Sequence, residues 1–185
     1  GGKRQVTWQI DPAHSRVAFA VRHMMVSTVR GSFKVFNGEI EYDEQNPANS
    51  KITAQAEAAS IDTGQPERDQ HLRSADFFEV DKYPTITFVS TKIEPLGGNE
   101  YRVTGDLTMH GVTRPVTFTG EFNGPIVDAF GLRRAGILAT ATINRKDFGL
   151  TWNRAIESGG VIVDDKVKIE IELEITEKVP AASNA

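Results

Sequence analysis

Alternating hydrophobicity is the feature that most constrains the fold of this chain. Between Val167 and Ile175, apolar residues occupy every second position, and Lys or Glu fills the positions between them. A period of two is typical of a β-strand with one buried and one solvated face. The alternation recurs along most of the chain, and no helical pattern of about ten residues or more separates these stretches. The pattern predicts an all-β fold, a single closed antiparallel β-barrel of about eight strands.

Turn residues divide the alternating pattern into nine predicted strands. These are Thr7–Ile10, Ser15–Arg22, Ser32–Asp43, Lys51–Ala59, Thr85–Glu94, Tyr101–Met109, Arg114–Asn123, Arg134–Ile143 and Val167–Glu177. The stretch Val21–Val29 is expected to leave regular strand geometry. One short helix is predicted at Pro66–Phe78, which is polar and begins with Pro, a favoured first helical residue. It would lie at one barrel end with Leu72, Phe77 and Phe78 facing inward.

Small residues on the inward faces suggest an internal space. Alanine dominates the dry faces of 52–58 and 135–143, and Gly105 interrupts another. A barrel of about eight strands is just wide enough for side chains or one small ligand. A cavity and a tapered interior, in which Phe rings fill the gaps beside small residues, both agree with this pattern.

Composition excludes several classes of protein. The net charge of −4 disfavours nucleic acid as a partner. Without cysteine there are no disulfides and no thiolate chemistry. The four histidines lack metal-site spacing, and there is no hydrolase elbow or phosphate-binding loop. No apolar run approaches the ~20 residues of a membrane helix. We therefore expect no metal, no cofactor and no transmembrane segment.

The chain is expected to form one domain. Residues 6–177 would make the barrel, residues 1–5 a disordered or expression-derived start, and residues 178–185 a flexible tail. The compartment stays open: cytoplasmic, or periplasmic or secreted if a signal peptide has been removed.

Several motifs resemble those of one family. The segment Arg68–Phe88 is similar to the signature of the YceI-like polyisoprenoid-binding family, and Gly105–Thr113 is similar to its second block. Asp11–Ser15 and Val21–Gly31 resemble its start, and Asn144–Gly149 resembles its late motif. The resemblance implies a lipocalin-like barrel that holds a long isoprenoid, such as a polyprenol or an isoprenoid quinone, or a related lipid in an elongated apolar pore. It implies a non-catalytic binding or carrier protein.

Candidate ligand-binding residues follow from strand parity and from this resemblance. The expected tunnel wall consists of Phe19, Val21, Met24, Phe33, Ala54, Ala56, Leu72, Phe77, Phe88, Leu107, Phe118, Ile137 and Ala139. Each is also a plausible core residue. Candidates for a polar head group at the mouth are His23, Arg68, Asp69, His71 and Arg145. The alternative for the charged residues is structural: Arg68 and Asp69 would pin the helix, and Arg145 would cap a turn.

Two other functional classes stay open. A hydrolase or isomerase acting on a barrel-bound lipid-like substrate would need a polar cluster in the lumen, but parity places Asp106 and His110 on the outer face. A structural or interaction domain would have a filled lumen and a large exposed apolar patch. A homodimer could form through an exposed strand edge near Thr7–Ile10.

Overall fold

The computed structural model describes residues 5–154 and 162–178. The described strands and helix, in chain order, are β1 Gln5–Ile10, β2 Arg16–His23, β3 Ser27–Phe33, β4 Phe36–Asp43, β5 Lys51–Glu57, β6 Ile61–Asp62, α1 Pro66–Arg73, β7 Thr85–Gly97, β8 Glu100–Met109, β9 Val112–Val127, β10 Arg133–Asn144 and β11 Val163–Glu177. Short 3-10 turns occur at 12–14, 47–49, 58–60 and 145–148. All pairings between these strands are antiparallel.

The sheet closes into a barrel because β11 pairs with strands on both of its edges. Strand β10 runs along one edge, while β2 and then β1 follow one another along the other, with Val17 opposite Ile171 and Trp8 opposite Glu177. Strands β1 and β2 thus occupy a single position in the ring of strands, with a kink between them, and β3 and β4 together occupy the next position. Counted this way, eight strands make the ring, which confirms the predicted lipocalin-like fold class.

The two ends of the barrel are closed differently. At the tryptophan end, defined by Trp8, Ile40 and Ile175, these side chains are almost completely buried. At the opposite end, here called the helix end, α1 and residues 150–152 lie across the opening. His71 packs edge-on against Trp152, with ring centroids 4.7 Å apart. The first end is a packed plug, whereas the second is a cover made of separate segments.

One predicted strand is wrong. The segment Ser32–Asp43 is divided into β3 and β4 by Lys34 and Val35. These two backbone amides donate to Ser60, Lys34 to its carbonyl and Val35 to its hydroxyl, instead of joining the sheet ladder. The same contact produces β6, a two-residue strand that the sequence did not predict. The alternation changes phase at this break, since Phe33 and Phe36, three residues apart, both line the cavity, whereas Val35 is exposed.

The predicted end of the helix is also wrong. Helix α1 stops at Arg73 because Ser74 adopts an extended conformation and its hydroxyl donates to the carbonyl of His71. The following turns carry Phe77 and Phe78 back toward the barrel. The prediction that β2 would leave regular geometry applies only to the turn at 24–26, since the strand itself continues to His23.

The proposed dimer edge is not free. Strand β1 pairs with β4 on one side and with β11 on the other, so the backbone of Thr7–Ile10 is already used. A homodimer stays a prediction, without this edge to carry it. Of the expected loose termini, residues 1–4 and 179–185 lie outside the described residues. Gln5 belongs to β1, and the Lys178 amide donates to Thr7.

Within the described ranges, no helix combines the length and apolar character needed to cross a bilayer.

An apolar cavity inside the barrel as candidate functional site

The barrel encloses a cavity of about 290 Å³. At on the order of 10 to 30 Å³ per water-sized group, this volume holds roughly ten to thirty heavy atoms. Every strand of the ring contributes to the wall, and α1 and the turns after it cover the helix end. The wall is made almost entirely of Ile, Val, Leu, Phe and Ala side chains. Such a space suits a single hydrocarbon chain.

Strand alternation explains why the wall is apolar. On β11, Ile169 and Ile171 point into the cavity while Lys168 and Glu170 point to solvent. Three uncharged polar residues also border the cavity, namely Asn37, Gln55 and Thr87. They lie directly opposite one another across β4, β5 and β7, one position away from the inward Phe36–Ala56–Ile86 row. Their strand positions therefore direct these side chains outward.

Not every small residue on an inward face leaves open space. A Cβ added at Gly105 would lie 2.5 Å from the ring of Phe88, and one added at Gly31 would lie 2.5 Å from the ring of Phe19. These glycines make room for aromatic rings from the neighbouring strand. Ala135 and Ala141 are likewise packed into the two core clusters. Side chains thus fill the interior beside some of the small residues, as in a tapered barrel, and a cavity remains beside others.

A second, smaller cavity of about 80 Å³ adjoins the first toward the tryptophan end. The two share wall residues that include Phe118, Ile137 and Ala139. Beyond them, Tyr42 stacks on Phe122 with ring centroids 5.6 Å apart. Burial raises the pKa of Tyr42 to about 12, and the neighbouring Tyr101 adds to the shift. The phenol is therefore neutral at physiological pH, and this end of the lumen carries no charge from it.

The predicted tunnel residues are placed as follows. Twelve of the thirteen line the larger cavity: Phe19, Val21, Phe33, Ala54, Ala56, Leu72, Phe77, Phe88, Leu107, Phe118, Ile137 and Ala139. Their contact with a ligand stays a prediction. Met24 is placed elsewhere: it lies in the β2–β3 turn, out of phase with the inward residues Phe19 and Val21, and it is exposed.

Sequence reasoning missed part of the wall. The inward faces of β11, β2 and β8 contribute Val167, Ile169, Ile171, Leu173, Val17 and Val103. The signal was available, because each lies two or four residues from a predicted wall residue or in the strongest alternating row of the chain. It was not used for these residues because alternation marks a dry face without telling whether that face meets another side chain or empty space.

Arg145 is the one charged residue that borders the cavity, among the described residues. It is 3 % exposed. Its guanidinium donates to four backbone carbonyls: those of Leu150, Trp152, Val163 and Asp164, at 2.6–3.2 Å. Burial lowers the pKa of Arg145, while Asp165 and Asp164 oppose that effect. The side chain ties residues 150–152 and the start of β11 to the 3-10 turn, and four of its five N–H donors are thereby occupied.

The charged pair on α1 is also occupied by internal contacts. Arg68 donates to the hydroxyl and the carbonyl of Thr63 at 2.7 and 2.8 Å. Buried Asp69 accepts from the Thr63 amide at 2.9 Å. These bonds anchor the start of α1 to the loop before it, as the structural alternative proposed, and neither residue borders the cavity.

The histidines proposed for the mouth lie outside the cavity wall. His71 contacts Asp76 at 2.9 Å and packs on Trp152, so it belongs to the cover at the helix end. His23 ends β2 next to the exposed turn. Of the groups considered for catalysis, Asp106 is exposed, and His110 packs on Tyr83 with its Nδ1 3.0 Å from the Phe148 carbonyl. Neither reaches the lumen, as strand parity predicts.

Asp11, His14 and Glu174 form a cluster of possible metal ligands on the barrel exterior, with ligand atoms within 4.8 Å of one another. The Nη1 atom of Arg134 lies 3.4 Å from Asp11 and 3.5 Å from Glu174. A cation already stands beside two of the three ligands, so the cluster has the character of an ion-pair network. It joins the turn after β1 to β10 and β11.

We expect this network to make stability depend on pH. The hydrogen bond to Asp11 raises the pKa of His14, so the folded state holds the proton more tightly than the unfolded state. The resulting stabilisation is present below the unfolded pKa, near 6.5, and is lost as the pH rises through the folded pKa. The stability difference between the wild type and His14→Gln should therefore shrink from about pH 6 to about pH 8. Denaturant titrations across this range measure it, and a constant difference would contradict the assignment.

This chain is similar to known proteins in sequence and in fold. The model of the YceI-like domain family matches residues 8–175. A Pseudomonas putida protein named UPF0312 is 46% identical over 137 residues, which cover 74% of this chain and 71% of that protein. The crystal structure of Burkholderia cenocepacia BcnA has a TM-score of 0.79 and 28% identity, and covers 89% of this chain and 98% of its own.

A more distant structural neighbour shares the fold. It is described as a polyisoprenoid binding domain from Saccharophagus degradans implicated in plant cell wall breakdown. Its TM-score is 0.66 at 16% identity, with coverage of 92% of this chain and 98% of that domain. The barrel described above is thus a fold that recurs in proteins of divergent sequence.

Proposed function

This chain belongs to the YceI-like domain family, and from that premise we propose that it is a non-catalytic binding or carrier protein for one long, uncharged hydrocarbon ligand. An isoprenoid, such as a polyprenol or an isoprenoid quinone, is the ligand class we favour. The observation that carries this proposal is the cavity of about 290 Å³ with an apolar wall. The polyisoprenoid binding described for the Saccharophagus degradans domain supports the ligand class.

Burial of the hydrocarbon supplies the binding energy. At roughly 0.8 kcal/mol per methylene, about ten buried carbons would contribute near 8 kcal/mol. The costs of association and of ordering the chain are of similar order, so only part of this gain appears as affinity. Affinity should therefore rise with chain length and depend little on any single polar contact.

The described wall of the larger cavity has one charged residue, Arg145, and its state supports an uncharged ligand. Four of its five N–H donors are bonded to carbonyls, and its charge is opposed by Asp165, 3.8 Å from Nη2, so little of either is left for a ligand carboxylate. An ionised fatty acid would have to bury its charge without a partner, which costs several kcal/mol. An alcohol, quinone or amide of the same length avoids this cost.

Native mass spectrometry of freshly purified protein, followed by organic extraction, tests the proposal. We expect a mass increment of one neutral long-chain lipid per chain, which extraction then identifies. A protein that carries no lipid and also fails to bind added polyprenols, isoprenoid quinones and fatty amides would overturn the proposal. That result would favour a filled, purely structural barrel. A bound lipid with an ionised head group would overturn the uncharged-ligand part alone.

A further inference from the structure

Three consecutive apolar residues are exposed at the turn between β2 and β3. The exposed fractions are 41% for Met24, 65% for Met25 and 79% for Val26. A run of exposed apolar residues is unfavourable on a solvated protein surface, and its presence therefore indicates a function. Both methionines have a positive φ, 52° and 62°, where a hairpin turn normally places Asn or Gly. Two flexible apolar side chains thus occupy a backbone conformation that favours Asn or Gly.

Hydrogen bonds hold this turn in a defined position at the helix end of the barrel. Arg22 donates through Nη2 to the carbonyl of Met25 at 3.1 Å. The Met24 amide donates to the carbonyl of Ile162 at 2.7 Å. The residues next to these anchors, Val21 and Val163, line the cavity. The exposed turn therefore continues the apolar cavity wall out to the surface.

The size of the exposed patch favours a lipid surface over a protein partner. Three side chains on one hairpin tip offer a few hundred Å² at most. A stable protein interface needs about 800 Å² from each partner. A bilayer, in contrast, can accommodate a few apolar side chains at its interface without a complementary surface. A ligand with an apolar chain of the proposed kind also resides in bilayers when it is not bound to protein.

We propose that the Met24–Met25–Val26 turn inserts into the surface of a lipid bilayer. The turn would hold the helix end of the barrel against the bilayer, so that the bound lipid exchanges between the lumen and the bilayer at this end. This inference rests on the proposed function, because it names the surface from which the bound lipid is taken. Flexible, polarisable Met side chains suit contact with irregular acyl chains.

A second exposed apolar tip serves as a matched control. Phe130 in the β9–β10 turn is 94% exposed, and its neighbours Ile126 and Val127 are also exposed. This tip lies at the opposite end of β11, since Arg134 pairs with Thr176 whereas His23 pairs with Val163. The buried Trp8–Ile175 plug lies at that end. The control tip is thus as apolar as the proposed anchor but does not adjoin the larger cavity.

Site-specific fluorescence tests the membrane contact directly. The chain has no cysteine, so Met25→Cys and Phe130→Cys each accept one environment-sensitive dye. On addition of phosphatidylcholine vesicles with a minor share of phosphatidylglycerol, we expect a blue shift for the dye at position 25 and none at position 130. Equal shifts at both positions, or no shift at position 25, would overturn the inference. A shift at position 25 that depends on protein concentration without vesicles would also overturn it, in favour of a second copy of this chain.

A transfer assay separates this inference from the proposed function. The double variant Met25→Asn, Val26→Thr replaces the two most exposed of the three apolar residues, and Asn suits the positive φ at position 25. The rate of uptake of radiolabelled geranylgeraniol from the same vesicles should fall about tenfold or more. The equilibrium affinity for geranylgeraniol added to the buffer from an ethanol stock, without vesicles, should stay unchanged. Phe130→Ser should leave both quantities unchanged. An unchanged transfer rate in the double variant would overturn the inference, whereas failure of the wild type to bind geranylgeraniol at all would overturn the proposed function.

Discussion

Replacement of Ala139 by Phe is expected to weaken lipid binding about fiftyfold. Ala139 lies where the two cavities meet, opposite Ile171 on β11. A phenyl ring there would occupy the space of about three ligand carbons, each worth roughly 0.8 kcal/mol. Titration of the delipidated variant with geranylgeraniol measures the loss. The free energy of unfolding should stay close to that of the wild type, because the ring enters an existing cavity and not a packed core.

The neighbouring residue provides the control for this prediction. Thr140 is exposed on the outer face of the same strand, so Thr140→Phe adds the same ring without filling the lumen. Its affinity for geranylgeraniol should match that of the wild type. If Ala139→Phe folds and binds normally, the ligand does not occupy the junction of the two cavities. The prediction that Phe118 and Ile137, which border the same junction, contact the ligand would then also be wrong.

Replacement of Arg145 by Met is expected to reduce the free energy of unfolding by about 3–5 kcal/mol. The change removes the donors to four carbonyls while keeping a side chain of similar length. Those carbonyls lie at the junction of the 3-10 turn, residues 150–152 and the start of β11. Buried acceptors without partners destabilise the fold. Denaturant unfolding monitored by the fluorescence of Trp8 and Trp152, the second of which lies at this junction, measures the effect.

An exposed arginine serves as the reference for Arg145. Arg30 pairs with Glu170 at 3.5 Å on the barrel surface, and its side chain is 63% exposed. Arg30→Met should change stability by less than about 1 kcal/mol. The Arg145 experiment also decides between the two roles considered for that residue. A variant with wild-type stability and an altered preference among lipid head groups would show that Arg145 binds the ligand and does not anchor the fold.

The alternation of apolar and polar residues was sufficient to predict the barrel and most of its inward face. It failed at a break between two strands, where the alternation changes phase. Lys34 and Val35 bond to Ser60, and the inward positions shift from odd numbers in β3 to even numbers in β4, a change that the prediction of one strand overlooked. Met24 shows another error, because it lies out of phase with Phe19 and Val21, the inward residues of β2, and a flexible apolar side chain does not by itself indicate an inward position.

The polar candidates could be named from residue type but not assigned a role. Arg68, Asp69 and Arg145 are the kinds of residue that bind a head group, and they are also the kinds that anchor a loop. The contacts that distinguish these roles join backbone atoms whose positions depend on local turns, such as the Thr63 carbonyl and the carbonyls of Leu150 and Trp152. No spacing in the sequence encodes those contacts.

The sequence by itself determined which residues face inward, because the period of two assigns each side chain to one face of a strand. Only the tertiary structure decided which of these inward residues border empty space. Ala139 and Ala141 lie on the same face of β10, two residues apart, yet Ala139 lines the cavity and Ala141 is packed against other side chains. The physical reason is that a cavity depends on side chains from opposite sides of the closed ring, and the lengths of those side chains combine only after the barrel has closed.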